Sequence, residues 1–322
     1  MGIRVLSGGL FTTVQDLGRV GWQQFGFAQS GAMDARALQT ANILVGNARG
    51  EAGLEIALMG PTIEFTAEGA IALTGADLQP LLGGAPMPMY RAVRVAPGDV
   101  LSFQYLQSGC RAYLAFAGGL DVPLVMGSRS TQASCALGGF QGRKLAAGDE
   151  IAFRAPAMPP DMARRTAEPA PLGDDPATLR VVLGPQADAF SPRGIRTFLN
   201  GEYALTPDFD RMGCRLDGPP IEHAAGADIT SDGIANGAIQ VPAHGQPIVL
   251  LADRQTTGGY AKIATVISAD LPIIAQRRAG QAVRFAAVSV DRARNLAIAE
   301  RRALDRLDRR LNRPGLLGRL RR

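Results

Sequence analysis

The chain has 322 residues, 46% hydrophobic and 20% charged, with 39 Gly and 21 Pro; this is the make-up of a globular protein rich in strands and turns, long enough for two domains. No apolar run approaches the roughly 20 residues that cross a bilayer, and the opening Met1-Gly-Ile-Arg-Val-Leu-Ser7 has neither an apolar stretch nor a cleavage site for export. The formal charge of +5 sits at the end of the chain, where residues 291–322 hold eleven Arg against four acids, so residues 1–290 sum to −2 and offer no basic groove for nucleic acid.

Residues 3–27 read as a short strand, a turn and a loop, with Asp16 and Arg19 on either side of Gly18. Gly31-Ala-Met-Asp34 then opens a helix, in which Ala35, Leu38, Ala41, Asn42 and Val45 recur at helical spacing and Gly46-Asn47 marks the end. From Leu54 the pattern changes to short strands bounded by Gly or Pro, at 62–66, 70–74, 90–95, 100–105, 111–117 and 150–154, as in a sandwich or barrel. Residues 155–178 are too rich in proline for a helix or a central strand and read as a linker. A strand follows at 179–183, then a short helix within 187–200 that Pro192 interrupts. An apolar strand at 248–252 runs into Asp253-Arg-Gln-Thr-Thr-Gly-Gly-Tyr260, a polar loop of the kind that presents chemistry at the end of a rigid scaffold. From Ser289 the chain reads as an amphipathic helix with Ala293, Ala297, Leu304, Leu307 and Leu311 on one face and Asp305 paired to Arg309, stopped by Pro314-Gly315. Its Arg face is expected to be solvated, not an RNA-binding arm.

The two halves look related. Gly60-Pro-Thr-Ile-Glu64 with Gly69-Ala70 resembles Gly218-Pro-Pro-Ile-Glu222 with Gly226-Ala227. A Gly, then Asp or Gln, then an alternating strand closing on Phe occurs three times, at residues 98–103, 148–153 and 280–285. These matches predict two similar β-domains in tandem, at 1–155 and 179–290, joined by the linker 156–178 and followed by a basic helix and tail, 291–322.

Much familiar chemistry is missing. His223 and His244 lack neighbours at metal-ligand spacing, so no metal site is expected, and no G-x-S-x-G elbow is present. Gly138-Gly-Phe-Gln-Gly-Arg-Lys144 lacks the ending and the following helix of a phosphate loop. The two lysines, Lys144 and Lys262, do not follow methionine, so the chain itself carries no biotin-accepting site. Three widely spaced cysteines, Cys110, Cys135 and Cys214, read as reduced thiols of a cytoplasmic protein. What remains are polar groups at strand ends: Asp16 and Arg19, Asp34, Asp77, the Arg211–Arg215 segment, Ser231, Gln240 and the 253–260 loop. Asp and Arg there suit a small polar substrate. Equally, Asp16 and Asp34 fit turn or helix caps, and Arg211 and Arg215 fit pairs with the local acids Asp208, Asp210 and Asp217.

Six segments carry a resemblance. They are Thr13-Val-Gln-Asp-Leu-Gly-Arg19; Gly31-Ala-Met-Asp34 with Ala41-Asn-Ile-Leu-Val-Gly-Asn47; Ala117-Gly-Gly119 with Gly127-Ser-Arg-Ser-Thr131; Arg211-Met-Gly-Cys-Arg-Leu216; Gly237-Ala-Ile-Gln-Val-Pro242; and Asp253-Arg-Gln-Thr-Thr-Gly-Gly-Tyr260. In these the chain resembles the biotin-dependent carboxyltransferase-like family that includes the C subunit of bacterial 5-oxoprolinase, the sporulation regulator KipA and the allophanate-hydrolase-subunit-2 domain of urea carboxylase. The resemblance implies a mainly β fold of two tandem cyclophilin-like β-barrels, with few short helices and a C-terminal helix.

The resemblance also implies an activity: opening of the 5-oxoproline lactam to glutamate, driven by ATP, in a complex with subunits A and B. The KipI-like B subunit is the most direct partner. ATP is used by the complex, with no site assigned on this chain. The alternatives are a KipA-type protein that binds a KipI-like kinase inhibitor related to the B subunit, or a carboxyltransferase component that takes carboxyl from carboxybiotin on a separate carrier. By resemblance the cleft involves Asp253 as the catalytic group. Arg211, Met212, Ser231, Gln240, Gln255, Thr256, Thr257, Gly258, Gly259, Tyr260 and Asp34 would contact substrate. A lactam or ureido ring sets an N–H beside a carbonyl; Asp253 would accept from the N–H while Gln255, Thr256 or a backbone N–H donates to the oxygen.

Overall fold

The computed structural model describes residues 1–173 and 175–312, which form twenty strands and four α-helices; the expected stop at Pro314-Gly315 lies outside the described residues. The chain divides into two compact units that are not contiguous in sequence. One holds Met1–Arg19, Asp34–Pro171 and the described residues from Arg301. The other holds Val20–Met33 and Leu172–Glu300. Among the described residues no helix is long and apolar enough to cross a membrane.

The first unit contains β1 (Gly2–Ser7), β2 (Phe11–Gln15), α1 (Ala35–Leu44), β3 (Gly53–Ala57), β4 (Thr62–Phe65), β5 (Gly69–Asp77), β6 (Pro80–Leu82), β7 (Ala85–Pro86), β8 (Ala92–Val95), β9 (Val100–Phe103), β10 (Ser108–Phe116) and β11 (Glu150–Ala152). They build a six-stranded sheet ordered β11-β1-β4-β9-β6-β7 and a five-stranded sheet ordered β2-β3-β10-β5-β8. Ile3, Val5, Ile63, Phe65 and Leu101 of the first sheet share a core with Leu54, Ile56, Ile71, Leu73 and Leu114 of the second. Strand β5 alternates. Its Ile71 and Leu73 face that core, while Ala70 and Ala72 join Ala115 and Ala117 under Ala41, Leu44 and Val45. The alanines keep the outer face shallow enough for α1 to lie on it. Asp34 starts α1 by accepting from the Ala37 N–H at 2.9 Å.

The second unit contains β12 (Ala177–Leu183), α2 (Pro192–Asn200), β13 (Glu202–Phe209), β14 (Gly213–Asp217), β15 (Asp228–Gly233), β16 (Ala238–Gln240), β17 (Ile248–Leu250), β18 (Thr257–Tyr260), β19 (Lys262–Val266), α3 (Leu271–Ala275) and β20 (Ala282–Ala287). Seven of these strands close a barrel in the order β12-β19-β16-β17-β14-β13-β20, while β15 and β18 pair only with each other. The barrel is filled by Leu179, Val181, Tyr203, Leu205, Leu216, Ile239, Val249, Ile263 and Phe285, and Met33 belongs to the same core. The fold is therefore mainly β with few helices, as expected.

The thrice-repeated sequence pattern is one turn used three times. Gly98, Gly148 and Gly280 all take φ near +90°, at 91°, 90° and 84°. Their N–H groups donate at 2.8 Å to Phe65 O, Val5 O and Leu205 O respectively. The following side chains accept from the turn's first residue: Asp99 from Ala96 N at 2.8 Å, Asp149 from Ala146 N at 2.8 Å and Gln281 from Arg278 N at 3.0 Å. The other repeat is a likeness of sequence alone, because residues 62–64 lie in β4 whereas residues 219–222 are irregular.

Two local expectations change. Pro192 does not interrupt a helix; it begins α2 at a position that needs no N–H, and Ser191 Oγ caps the Gly194 N–H at 3.0 Å. Asp305 pairs with Arg49 at 2.6 Å, while Arg309 Nε donates to the Asp305 backbone oxygen. The Pro-rich linker before β12 makes backbone contacts of its own. Ala92 N–H donates to Arg165 O and Ala167 N–H to Tyr90 O. Arg165, 2% exposed, reaches the carbonyls of Ile43 and Leu44 at the end of α1 and that of Leu311 in the last helix, α4 (Val290–Asn312).

Candidate functional site

At β14, β16 and β17 the barrel frames a cleft of about 510 Å³. It is lined by residues 207–210, Met212, Gly213, Arg215, Gln240, Ile248, Leu250, Gln255 and Tyr260. The wall is part apolar, from Phe209, Met212, Ile248 and Leu250. It also carries two amides, two carboxylates, a guanidinium and a phenol, a mix suited to a small polar ring. The sequence expectation thus brings Met212, Gln240, Gln255 and Tyr260 together.

The 253–260 segment is only half a loop. Thr257–Tyr260 is strand β18, and it pairs with β15 so that Asp228 faces Tyr260, Asp232 faces Gly258 and Gly233 faces Thr257. Ser231 therefore shares this ribbon with Thr257, Gly258 and Gly259. Gly258 packs close to the cleft wall: a Cβ there would stand 2.7 Å from Gln240 Nε2 and 2.8 Å from Ile234 Cδ1. Gln240, 6% exposed, donates from that same nitrogen to Tyr260 O at 3.3 Å, which ties the ribbon to the cleft wall. Thr256 contributes its backbone oxygen, which accepts from Ile234 N–H at 3.0 Å.

Asp253 and Arg211 do not line the cleft; they brace it. Arg211 Nε lies 2.9 Å from Asp253 Oδ2 and Nη2 3.1 Å from Oδ1, with both side chains more than nine-tenths buried. Arg211 Nη2 also donates to Gly31 O at 2.7 Å, and Asp253 N–H to Arg211 O at 2.8 Å. Arg211 is thus paired with Asp253, 42 residues away. Asp210 instead turns its carboxylate onto the Met212 and Gly213 N–H groups.

Asp34 belongs to the other unit, where it caps α1. Asp16 is likewise structural. It accepts from Ser128 Oγ at 2.7 Å, Ser130 Oγ at 2.5 Å, Arg129 N at 2.6 Å and Gly18 N at 2.7 Å. The segments 13–19 and 127–131, which both carry the family resemblance, are therefore one interlocked feature. The Gly-rich run from Gly138 is closed on its own chain: a Cβ at Gly138 would meet Ser130 O at 2.3 Å and one at Gly139 would meet Thr131 Oγ1 at 1.8 Å. Asp77 caps a turn through the Gln79 N–H.

Two buried basic residues, Lys262 and Arg254, were not named individually as substrate contacts. Lys262, 3% exposed, opens β19 with its Nζ 3.2 Å from Asp232, and this ammonium, with the Gly233 N–H, holds the Asp232 carboxyl below its ordinary value. A lysine inside the apolar run Ala261-Lys-Ile-Ala264 was the signal. Arg254, also 3% exposed, donates to Ile234 O and Leu251 O at 3.0 and 3.1 Å. Burial pushes its guanidinium down to about 10.

The family model for the carboxyltransferase domain, subdomain A and B, matches residues 25–287. Among curated proteins, the chain is 36% identical to the C subunit of 5-oxoprolinase from Escherichia coli (strain K12) over 310 residues, 96% of this chain and 99% of that one. It is 37% identical to the protein of the same name from Haemophilus influenzae over 300 residues, 92% and 94% of the two chains. Among solved structures, the K. lactis urea amidolyase superposes with a TM-score of 0.89 at 31% identity. That match covers 95% of this chain but 20% of the larger enzyme.

Proposed function

Because the chain belongs to the carboxyltransferase domain family of subdomains A and B, we propose that it is the C subunit of an ATP-dependent 5-oxoprolinase. In this reading it acts with subunits A and B, of which B is its direct neighbour, to open the 5-oxoproline lactam to glutamate. One observation carries the reading: the match to the C subunit of 5-oxoprolinase runs through 99% of that protein, whereas only a fifth of the urea amidolyase is spanned.

The cleft chemistry supports a cyclic amide. Gln240 and Gln255 each offer a donor and an acceptor, so together they match a ring N–H beside a carbonyl. In this reading Asp253 acts indirectly, through its two contacts to Arg211, next to Met212 of the cleft wall. ATP enters as a co-substrate of the complex, and the closed loop at Gly138 gives no reason to place it there. The test is ATP-dependent glutamate formation from 5-oxoproline with co-expressed subunits A and B. Unchanged activity when this chain is omitted overturns the proposal.

A second reading rests on the superposition with urea amidolyase: a carboxyltransferase component fed by carboxybiotin on a separate carrier. The ureido ring of biotin presents the same N–H and carbonyl pair. Avidin inhibition of the reconstituted reaction would favour it, and avidin-insensitive turnover of 5-oxoproline would exclude it.

A further inference from the structure

Buried charges around the barrel are paired across sequence: Arg211 with Asp253, Lys262 with Asp232 and Arg180 with Asp270. Arg254 differs. It is 3% exposed, yet no carboxylate contacts it among the described residues. Its Nε and Nη1 reach only the carbonyls of Ile234 and Leu251. Burial alone moves its guanidinium, and no neighbouring acid offsets that effect. Nη2 has no acceptor among the described residues, but it is not one of the sealed buried atoms without a partner, so it still meets solvent.

A buried cation with two carbonyl acceptors and no counter-charge is unfavourable unless an anion completes it. The planar fork of Arg is shaped for a carboxylate, and two of its donors already fix the plane. The anchoring carbonyls belong to Ile234, just past β15, and Leu251, just past β17. The next residue, Gln255, lines the cleft.

We infer that Arg254 is the binding group for a carboxylate brought from outside the chain, received by Nη2 at the foot of the 255–260 segment. The carboxylate comes either from a small-molecule substrate or from an acidic side chain of a partner subunit; the first source rests on the function proposed above. In either case Arg254 is distinct from Asp253, which is paired with Arg211.

The experiment compares 5-oxoproline with 2-pyrrolidinone, the same lactam without the carboxylate, as ligands of the full-length chain by calorimetric titration. Wild type should favour 5-oxoproline by about 10- to 100-fold, the range for one charge-assisted contact. Arg254→Met should bring the ratio to about one, while Arg254→Lys retains part of it. In parallel, the affinity of the chain for co-purified subunits A and B is measured for wild type and Arg254→Met. A tenfold weaker, salt-sensitive assembly with no change in ligand ratio assigns the carboxylate to the partner. Unchanged ratio and unchanged assembly overturn the inference, including when neither lactam binds. That last outcome also counts against the oxoprolinase reading, whereas 5-oxoproline binding that ignores Arg254 counts against Arg254 alone. If Arg254→Met does not fold, Arg254→Lys is read in its place. If neither folds, a wild-type crystal soaked with 5-oxoproline decides: a carboxylate elsewhere than on Nη2, in a crystal lacking subunits A and B and with no partner acid on Nη2 when they are added, overturns the inference.

Discussion

Arg211 and Asp253 sit at the ends of two strands and meet through two contacts with little access to water. Removing one member strands the other. Arg211→Ala should destabilise the protein by about 3–5 kcal/mol, and Arg211→Met combined with Asp253→Leu by less than Arg211→Ala alone; urea unfolding of the variants measures both. Asp149 gives a pH signature. The Arg143 guanidinium and the Ala146 N–H hold its carboxyl below the ordinary value. A depressed folded value means the contribution is complete above the unfolded pKa of roughly 3.9 and is lost as pH falls through the lower folded value. Asp149→Asn should therefore lose stability at pH 6 and flatten the acid limb below about pH 4 in a melting-temperature series. Single residues were legible where the partner is close in sequence, as with Asp34 capping α1 three residues on. Arg211 was not, because local acids compete on paper with a partner that only the barrel brings near.

The three glycine turns are an element that the sequence displayed almost completely, since each uses a positive-φ glycine and an acceptor side chain three residues after the N–H it caps. A Cβ at Gly98, Gly148 or Gly280 would meet nothing within 4 Å, so the penalty of Ala there is backbone strain alone. Each Gly→Ala change should cost about 1–2 kcal/mol, the three alike within error in chemical denaturation. One value above about 3 kcal/mol would break their equivalence. The β15–β18 ribbon was illegible for the opposite reason. Its strands are short, polar and glycine-bearing, so neither alternation nor β-propensity marks them, and their register depends on contacts such as Gln240 under Gly258.

At the level of the whole molecule, a mainly β chain was readable from the short strands and the repeated turn, but the sharing of chain between the two units was not. Val20–Met33 belongs with the barrel unit although it lies about 150 residues before it. Met33 is 6% exposed in the barrel core, Ser30 N–H donates to Ala252 O at 3.0 Å, and Gly31 O receives Arg211. A fragment of residues 179–290 alone should thus fail to give a dispersed amide spectrum, and adding residues 20–33 with residues 172–178 should restore one. A well-dispersed spectrum from the shorter fragment would show that the early segment is dispensable. The same segment sets a schedule for synthesis. Ser30 leaves the ribosome 222 residues ahead of Ala252, its backbone partner; at about 5–20 residues per second that is an interval of roughly 10 to 40 s. Through that interval Met33 is held in the nascent chain without the barrel core it joins. The barrel's first piece is therefore made long before the strands that receive it.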